Sequence, residues 1–181
     1  MQWLIDLRTR VGTFLLQRNV ALHKRKRKLT PLHQAKDVGI LYDSTFIDKD
    51  ALVHQYVQKL RAEGKKVFMM GYVDMKTLPG NKKFSLQSDF CWHEKLTYFY
   101  LPDKQKFGTF LKTEFDVLIT LAENPVLPLK ALSAYSHAHY RIGPMIPGGL
   151  YYYDAMMDIK RSPDLATLIH EIDFYFKAIT S

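Results

Sequence analysis

The clearest β-strand signal in this sequence is the run Asp116-Val117-Leu118-Ile119-Thr120-Leu121, which is apolar at nearly every position. A short continuous apolar run of this kind is typical of a strand that is buried on both faces of a parallel sheet. Pro125 or Pro128 then opens a predicted helix that ends near Ser136. The run Tyr140-Arg141-Ile142-Gly143 is predicted as the following strand, so this region forms a strand–helix–strand unit.

The same alternation extends towards the N-terminus. Val38-Gly39-Ile40-Leu41-Tyr42 is predicted as a buried strand, and residues 67–73 as the next one. Between them, Asp48 is the predicted N-cap of a helix that ends at Gly64. The alternation over residues 36–143 predicts a Rossmann-like, three-layer, doubly wound α/β sheet that is mostly parallel, with right-handed crossovers.

The edges of the predicted sheet are less regular. Phe90-Cys91-Trp92 and Thr97-Tyr98-Phe99-Tyr100 are both strand-like, with their pairing left open, and a helix is predicted over residues 103–113. Residues 151–159 are predicted as the last strand. Since the loop over residues 144–150 is shorter than the dozen or so residues that a parallel crossover needs, this strand is expected to be an antiparallel edge strand.

Amphipathic helices are predicted at both ends of the chain. The C-terminal helix has Ser162 as its N-cap and Pro163 at its first position. Its apolar stripe is Leu165, Leu168, Ile169, Ile172, Phe176 and Ile179. The N-terminal helix covers residues 2–22, and its apolar stripe is Trp3, Leu4, Leu7, Val11, Phe14 and Leu15. We therefore expect a basic amphipathic helix with its linker over residues 1–30, followed by a single α/β domain over residues 31–181.

Basic residues are concentrated at one end of the chain. Residues 1–28 hold eight Lys and Arg residues and one acid, Asp6, so this segment carries +7 of the formal net charge of +8. The nearly neutral remainder argues against a nucleic-acid footprint that is spread over the domain. The residues predicted to contact an anionic surface are Arg8, Arg10, Lys24, Arg25, Lys26, Arg27 and Lys28.

Three uses of this basic helix stay open. In the first, its apolar stripe docks on its own domain, on an unknown protein partner or on a second copy of the chain, and the Lys/Arg run forms a solvated collar. In the second, the helix lies on an anionic membrane surface, where each basic residue contributes ~1 kcal/mol. In the third and less favoured one, it binds the phosphates of a nucleic acid.

Polar residues follow several of the predicted strands, where ligands bind in open α/β sheets. The candidate ligand-binding residues are Asp43, Ser44, Thr45, Asp74, Glu123 and Asn124. Because the carboxyl ends of parallel strands meet at one edge of the sheet, we expect these residues to form an acidic rim there. The same residue types are also ordinary turn formers and caps after a strand.

Cofactor and metal motifs are missing from the sequence. No GxGxxG or GxxxxGK[ST] loop follows the first strand. A phosphatase-type nucleophile at Asp43 would need a second Asp two residues later, where Thr45 stands. His137 and His139 are interpreted as surface histidines and not as metal ligands. We therefore predict neither a cofactor nor a metal, and the catalytic residues stay unknown.

The cysteine content and the apolar runs indicate the compartment. Cys91 is the one cysteine, so it forms no intrachain disulfide, which fits a reducing compartment. Its neighbours Phe90 and Trp92 predict a buried core thiol and not a nucleophile. No apolar run approaches the ~20 residues that a membrane-spanning helix needs. The sequence predicts a cytoplasmic protein, with the basic helix available for peripheral attachment to the inner face of the membrane.

Most of the chain resembles a family of short bacterial proteins of unknown function. The resemblance lies in the runs Val38-Gly39-Ile40-Leu41-Tyr42-Asp43-Ser44-Thr45, Phe115-Asp116-Val117-Leu118-Ile119-Thr120-Leu121 and Tyr153-Asp154-Ala155-Met156-Met157-Asp158-Ile159-Lys160, and it includes the basic helix. It implies the same architecture and a bacterial, cytoplasmic setting. It implies no catalytic residues.

A second resemblance is local. Phe115 to Leu121, then Leu129, Ala131-Leu132-Ser133 and Ala138-His139-Tyr140-Arg141-Ile142-Gly143 are similar to a strand–helix–strand of the N-terminal Rossmann-like domain of heptosyltransferase-type glycosyltransferases. Those enzymes hold the sugar nucleotide with a second Rossmann-like domain, for which this chain has no residues. The resemblance implies a lone half of such a fold with another use.

The sequence therefore leaves the biochemical function unknown and supports two hypotheses. The first is a non-enzymatic α/β domain that binds a partner or a small anionic ligand and is attached through its basic helix. The alternative is a small enzyme that acts on a glycosyl or phosphorylated substrate with the acidic rim of Asp43, Asp74 and Glu123.

Overall fold

The structure is a computed structural model that describes residues 2–22 and 25–179. Its strands are β1 Asp37–Asp43, β2 Lys66–Tyr72, β3 Ser88–Cys91, β4 Val117–Leu121, β5 Tyr140–Pro144 and β6 Ala155–Met157. Its α-helices are α1 Gln2–Leu22, α2 Ile47–Ala62, α3 Gly108–Lys112, α4 Leu127–Tyr135 and α5 Leu165–Ala178. Short 3₁₀ turns lie at His93–Lys95 and Gly149–Tyr151.

The six strands form one sheet in the order β3-β2-β1-β4-β5-β6, and every neighbouring pair is parallel. In the chain, β1 to β3 run outwards to one side and β4 to β6 to the other, so the direction of winding reverses between β1 and β4. Open α/β sheets bind their ligands at such a reversal of winding, beyond the carboxyl ends of the strands. The predicted α/β class is confirmed.

Helices cover both faces of the sheet because its central strands are apolar on both sides. Ile40 and Tyr42 of β1 pack with buried residues of α2 and α5, whereas Leu41 packs on the opposite face with buried residues of α3 and α4. This alternation follows the two-residue period of a strand. The helix α1 packs against α4 and the 3₁₀ turn Gly149–Tyr151, with Leu16 fully buried.

The predicted antiparallel edge strand is wrong. β6 pairs with β5 in parallel, with Ile142 opposite Ala155. The strand begins at Ala155 and not at Tyr151, so residues 145–154 are available for the crossover. The 3₁₀ turn and the buried rings of Tyr152 and Tyr153 fill this short connection, which therefore needs no α-helix.

Several element boundaries also differ from the prediction. The N-caps of α2 and α5 are Phe46 and Asp164, each two residues from the predicted Asp48 and Ser162. Residues 97–100 form a tight turn and not a strand, because Tyr100 adopts a positive φ of 58° and donates its N–H to the Thr97 carbonyl. The helix predicted over residues 103–113 is reduced to the short α3.

Candidate functional site

The acidic rim lies where β1 and β2 end side by side. Thr45 donates its backbone N–H to the Asp43 carboxylate at 2.9 Å, and its hydroxyl accepts the backbone N–H of Asp74 at 3.1 Å. The structure therefore brings Asp43, Thr45 and Asp74 together, as expected for neighbouring parallel strands. These bonds are also the local turn bonds that Asp and Thr commonly make after a strand.

Asp74 is the most open carboxylate of this rim. Its side chain is 62% exposed and lies 2.7 Å from Nε2 of His93. The hydroxyl of Tyr72 donates to the same carboxylate oxygen at 3.0 Å. Burial, followed by the charge of Asp74, raises the pKa of Tyr72 well above its ordinary value, so this phenol remains a hydrogen-bond donor. Sequence reasoning gave His93 no role at the rim, since nothing in its local sequence points to Asp74.

Ser44 belongs to a separate polar cluster. Its hydroxyl donates to the Asp50 carboxylate at 2.8 Å and accepts from the Lys82 ammonium at 2.6 Å. Lys82 also donates to Asp50 at 3.0 Å, and its side chain is only 9% exposed. Because Lys82 binds both Ser44 and Asp50, this cluster holds the loop that carries Lys82 against the end of β1.

Glu123 and Asn124 follow β4, on the other side of the point between β1 and β4 where the direction of winding reverses. Both carboxylate oxygens of Glu123 lie 2.9 Å from the ammonium of Lys49, in the first turn of α2. This ion pair joins the start of α2 to the loop after β4, where a doubly wound sheet would bind a nucleotide. Asn124 is exposed beside it.

The start of α2 is electrostatically unsuited to phosphate. Its first turn carries Asp48 and Asp50, and the residue before it is the exposed Phe46 instead of a glycine. Carboxylates already occupy the positive end of the helix dipole, so a phosphate there would face like charges. The ligand-binding role of Asp43, Ser44, Thr45, Asp74, Glu123 and Asn124 stays a prediction, and four cavities in the described part of the chain are lined by other residues.

Three of the predicted surface cations have partners within the chain, and the exposed Arg27 is one of them, 3.5 Å from Asp154. Arg8 donates to the Tyr98 carbonyl at 2.7 Å and stacks over the rings of Tyr98 and Tyr100 at 4.1 and 4.7 Å. The side chain of Arg25 is only 5% exposed and binds both carboxylate oxygens of Asp154 at 2.5 and 2.6 Å. Its guanidinium also donates to the carbonyls of residues 138 and 139. Arg25 therefore fastens the segment after α1 to the domain.

Arg141 completes this buried ionic cluster. It donates to the carbonyls of Ser133 and Ala134 near the end of α4, and its side chain is 4% exposed. Burial, and then the nearby charge of Arg25, lowers the pKa of Arg141 to about 10. Asp154 is thus the carboxylate between two buried guanidinium groups. Of the other predicted cations, Arg10, Lys26 and Lys28 are exposed, and Lys24 lies outside the described residues.

The apolar stripe predicted for α1 is mostly exposed, although Leu15 of this stripe packs against the core. Trp3 is 65% exposed, Leu7 50% and Phe14 63%. The helix docks through the roughly opposite side, which includes Gly12, Leu16 and Asn19. The helix is therefore held in place while one of its apolar faces stays exposed. We call this face, which consists of Trp3, Leu4, Leu7 and Phe14, the α1 apolar face.

The residues that the structure describes contain neither a metal-binding cluster nor a membrane-spanning helix. Within residues 2–22 and 25–179, no group of three or more His, Cys, Asp or Glu side chains is placed to hold a metal ion. No helix among them is long and apolar enough to cross a bilayer. Cys91 is fully buried, and burial raises the pKa of its thiol to about 12, so the predicted core thiol is confirmed.

Comparison with known proteins places the chain in a family without supplying an activity. The model of the Family of unknown function (DUF6913) matches residues 8–179, and the chain belongs to that family. No curated protein matches the sequence. The similarity to heptosyltransferase-type glycosyltransferases is not shown by these findings.

Proposed function

We propose that this member of the family is a peripheral membrane module of the bacterial cytoplasm, which lies on the anionic inner face of the membrane through α1. The Rossmann-like domain behind the helix then acts as a non-enzymatic unit for a protein partner or a small anionic ligand. The observation that carries this proposal is the α1 apolar face, which stays exposed while the opposite side of the helix is fixed to the domain.

The composition of this face suits a membrane interface. At about 100° per residue, Trp3, Leu7 and Phe14 fall within about 40° of each other around the helix axis. Arg10 and Arg18 are exposed at the two sides of this arc. An apolar strip with Trp and Phe, bordered by Arg, is typical of helices that lie in the plane of the interface.

A second element with exposed apolar side chains contacts α1. The 3₁₀ turn Gly149–Tyr151 contacts α1, and Gly148 lies beside Gln17. Leu150 and Tyr151 in this turn are 74% and 43% exposed. Contiguous exposed apolar surface on a monomer commonly marks a protein or membrane contact.

The charge distribution favours an anionic surface over an apolar protein partner. Arg10, Arg18, Lys26 and Lys28 are exposed in α1 and the segment after it. Near a membrane with anionic lipids, each such residue contributes ~1 kcal/mol of attraction. The helix would therefore combine insertion of Trp3 and Phe14 with electrostatic attraction.

Vesicle co-sedimentation of the full chain tests the proposal. We expect binding to vesicles that contain phosphatidylglycerol, weaker binding to phosphatidylcholine alone, and weakening by salt because exposed charges are screened. Phe14→Asp should weaken binding at least ~10-fold, since burial of a Phe side chain contributes ~1.5–3 kcal/mol. Phe174→Asp is the matched control, because Phe174 on α5 is also 63% exposed.

Equal loss of binding in Phe14→Asp and Phe174→Asp would contradict the proposal, and so would equal binding to both vesicle types. Analytical ultracentrifugation of the same variants tests the nearest alternative, which is self-association through the α1 apolar face. A wild-type dimer that Phe14→Asp converts to a monomer, without vesicle binding, would make the α1 apolar face a self-association surface.

A small enzyme at the rim is the second candidate. It is favoured by the pair of Asp74 and His93, which is partly open to solvent next to Asp43 and Thr45. A carboxylate that holds a histidine supplies general-base chemistry towards a phosphorylated or glycosyl substrate. A metabolite thermal-shift screen tests it: a ligand whose stabilising effect disappears in Asp74→Asn supports the rim, and stabilisation that survives in this variant excludes it.

A further inference from the structure

A small cavity lies beside the C-terminal end of α1. It has a volume of about 160 Å³ and is formed by α3, the turn before it and the end of α4. Its lining residues are Lys104, Gly108, Leu111, Lys112, Tyr135 and His137. Three other cavities in the described part of the chain each have an Asp or Glu in their walls, but this one has none. Its wall therefore has a positive charge that no carboxylate in the lining offsets.

The groups around the cavity are hydrogen-bond donors. The Lys104 ammonium lies 4.0 Å above the centre of the Tyr135 ring. The Tyr135 hydroxyl accepts from the Asn19 amide at 3.5 Å, which leaves the phenolic proton for another acceptor. Burial raises the pKa of Tyr135, which keeps this proton in place. The lining thus includes two lysines and a phenol, which are donors that bind phosphate oxygens.

The size of the cavity limits what enters it. Sites for nucleotides and other drug-sized ligands have volumes of roughly 300–1,000 Å³. About 160 Å³ is too small for a sugar nucleotide but leaves room for a single phosphate group. The cavity therefore takes one phosphate group, and any larger part of the ligand stays outside.

The cavity lies beside the last turn of α1, the helix that we propose to lie on the membrane. Asn19 of α1 contacts Tyr135 in its wall, and the exposed Arg18 precedes Asn19. Arg25 binds the carbonyls of residues 138 and 139, which follow His137 in the same wall. The exposed Lys26 and Lys28 are therefore also held near this end of the molecule.

We propose that this cavity binds the phosphomonoester headgroup of an anionic lipid. The inference rests on the proposed membrane function and names the lipid chemistry that the protein recognises. A phosphomonoester carries more negative charge than a phosphodiester and has a terminal phosphate that can enter the cavity. The site should therefore distinguish the two headgroups, whereas the α1 apolar face should not.

Vesicles of phosphatidic acid and of phosphatidylglycerol, adjusted to the same surface potential, test this selectivity. We expect the full-length protein to bind phosphatidic acid about tenfold more tightly. The double variant Lys104→Gln/Lys112→Gln should lose this preference and keep its binding to phosphatidylglycerol. The double variant Lys76→Gln/Lys83→Gln removes the same charge from exposed positions outside the cavity and should keep the preference. Tyr135→Phe, which removes only the hydroxyl, should reduce the preference for phosphatidic acid.

The outcomes separate the two proposals. Wild-type protein that binds both vesicles equally, or a preference lost equally in both double variants, overturns the headgroup site and leaves the membrane function standing. Protein that binds neither vesicle overturns the membrane function. If inorganic phosphate then raises the melting temperature of the wild type but not of Lys104→Gln/Lys112→Gln, the site takes a soluble phosphomonoester, and the lipid assignment is overturned.

Discussion

Gly12 of α1 lies so close to the main-chain carbonyl of Phe99 that a Cβ atom at position 12 would overlap with that oxygen. The same Cβ would also lie 2.9 Å from the Leu127 side chain of α4. One glycine thus lets the helix approach the turn over residues 97–100 and α4 at once. This approach fixes which side of α1 is buried and, as a consequence, which side stays exposed.

Gly12→Ala should loosen α1 from the domain. Overpacking of this kind costs about 1–3 kcal/mol, although alanine has the higher helix propensity by about 1 kcal/mol. We expect a lower midpoint of urea unfolding and faster hydrogen exchange over residues 2–22, with the exchange of β1 and β4 unchanged. Gly80→Ala is the control, because nothing lies within 4 Å of a Cβ there. Identical stabilities of the two variants would show that docking of α1 on the domain does not need a glycine at position 12.

The case of α1 shows where sequence patterns stop being informative. The spacing of apolar residues predicted the helix over residues 2–22, and this helix is confirmed. The same spacing could not predict that the arc with Arg8, Gly12 and Leu16 docks instead of the predicted apolar stripe. The choice depends on the turn at residues 97–100, whose carbonyls and rings receive Arg8 and Gly12, and the sequence suggested a strand there.

The same distinction holds in the sheet and at the rim. The central strands β1, β2 and β4 were predictable because each is a largely apolar run, and β5 because it follows a predicted helix in the same alternation. The direction of β6 was not, because it depends on how compactly residues 145–154 fold. Asp43, Thr45 and Asp74 could be predicted to meet since parallel strands end at one edge, but the contacts of Lys82 and His93 depend on the path of a long loop.

Asp154→Asn should be one of the most destabilising conservative substitutions in the chain. It leaves the buried guanidinium groups of Arg25 and Arg141 without their carboxylate. Loss of one partner from a buried ion pair typically costs about 3–5 kcal/mol. Urea denaturation measures this loss. Arg27→Gln is the control, because Arg27 lies 3.5 Å from the same carboxylate but is 72% exposed, and its effect should stay below about 1 kcal/mol.

Cys91 should be unreactive in the folded protein. Its side chain is fully buried, and burial raises the thiol pKa to about 12, so very little thiolate is present near pH 8. We expect Ellman's reagent to titrate one thiol per chain in urea and to react much more slowly without it. Rapid native labelling at pH 8, at the rate of the denatured chain, would show that the thiol is accessible.

Lys82→Met should free the loop over residues 74–87. The substitution removes the ammonium that binds Ser44 and Asp50 and leaves their partly buried oxygens without it, which costs about 1–3 kcal/mol. Hydrogen exchange should accelerate in this loop in particular. Lys83→Met changes the exposed neighbouring lysine and should leave both stability and exchange near wild type. A similar loss in both variants would mean that Lys82 does not anchor the loop.

Asp164 should make the stability of α5 dependent on acid pH. Hydrogen bonds from Ser162, then from the backbone and hydroxyl of Thr167, lower the pKa of this N-cap carboxylate to about 2 from an ordinary 3.8. Because the folded pKa is depressed, the ionised carboxylate stabilises the fold above about pH 3.8, and this contribution is lost as the pH falls towards 2.

Asp164→Ala should therefore melt at a lower temperature than wild type near neutral pH. The difference in melting temperature between the two proteins should narrow between pH 4 and pH 2. Thermal melts followed by circular dichroism measure both effects. Asp164→Asn keeps a capping oxygen but has no charge to titrate. Its difference from Asp164→Ala should stay constant over the same range. If the difference in melting temperature between wild type and Asp164→Ala is also constant over this range, the carboxylate at position 164 acts only as a neutral cap. Its lowered pKa then does not contribute to stability.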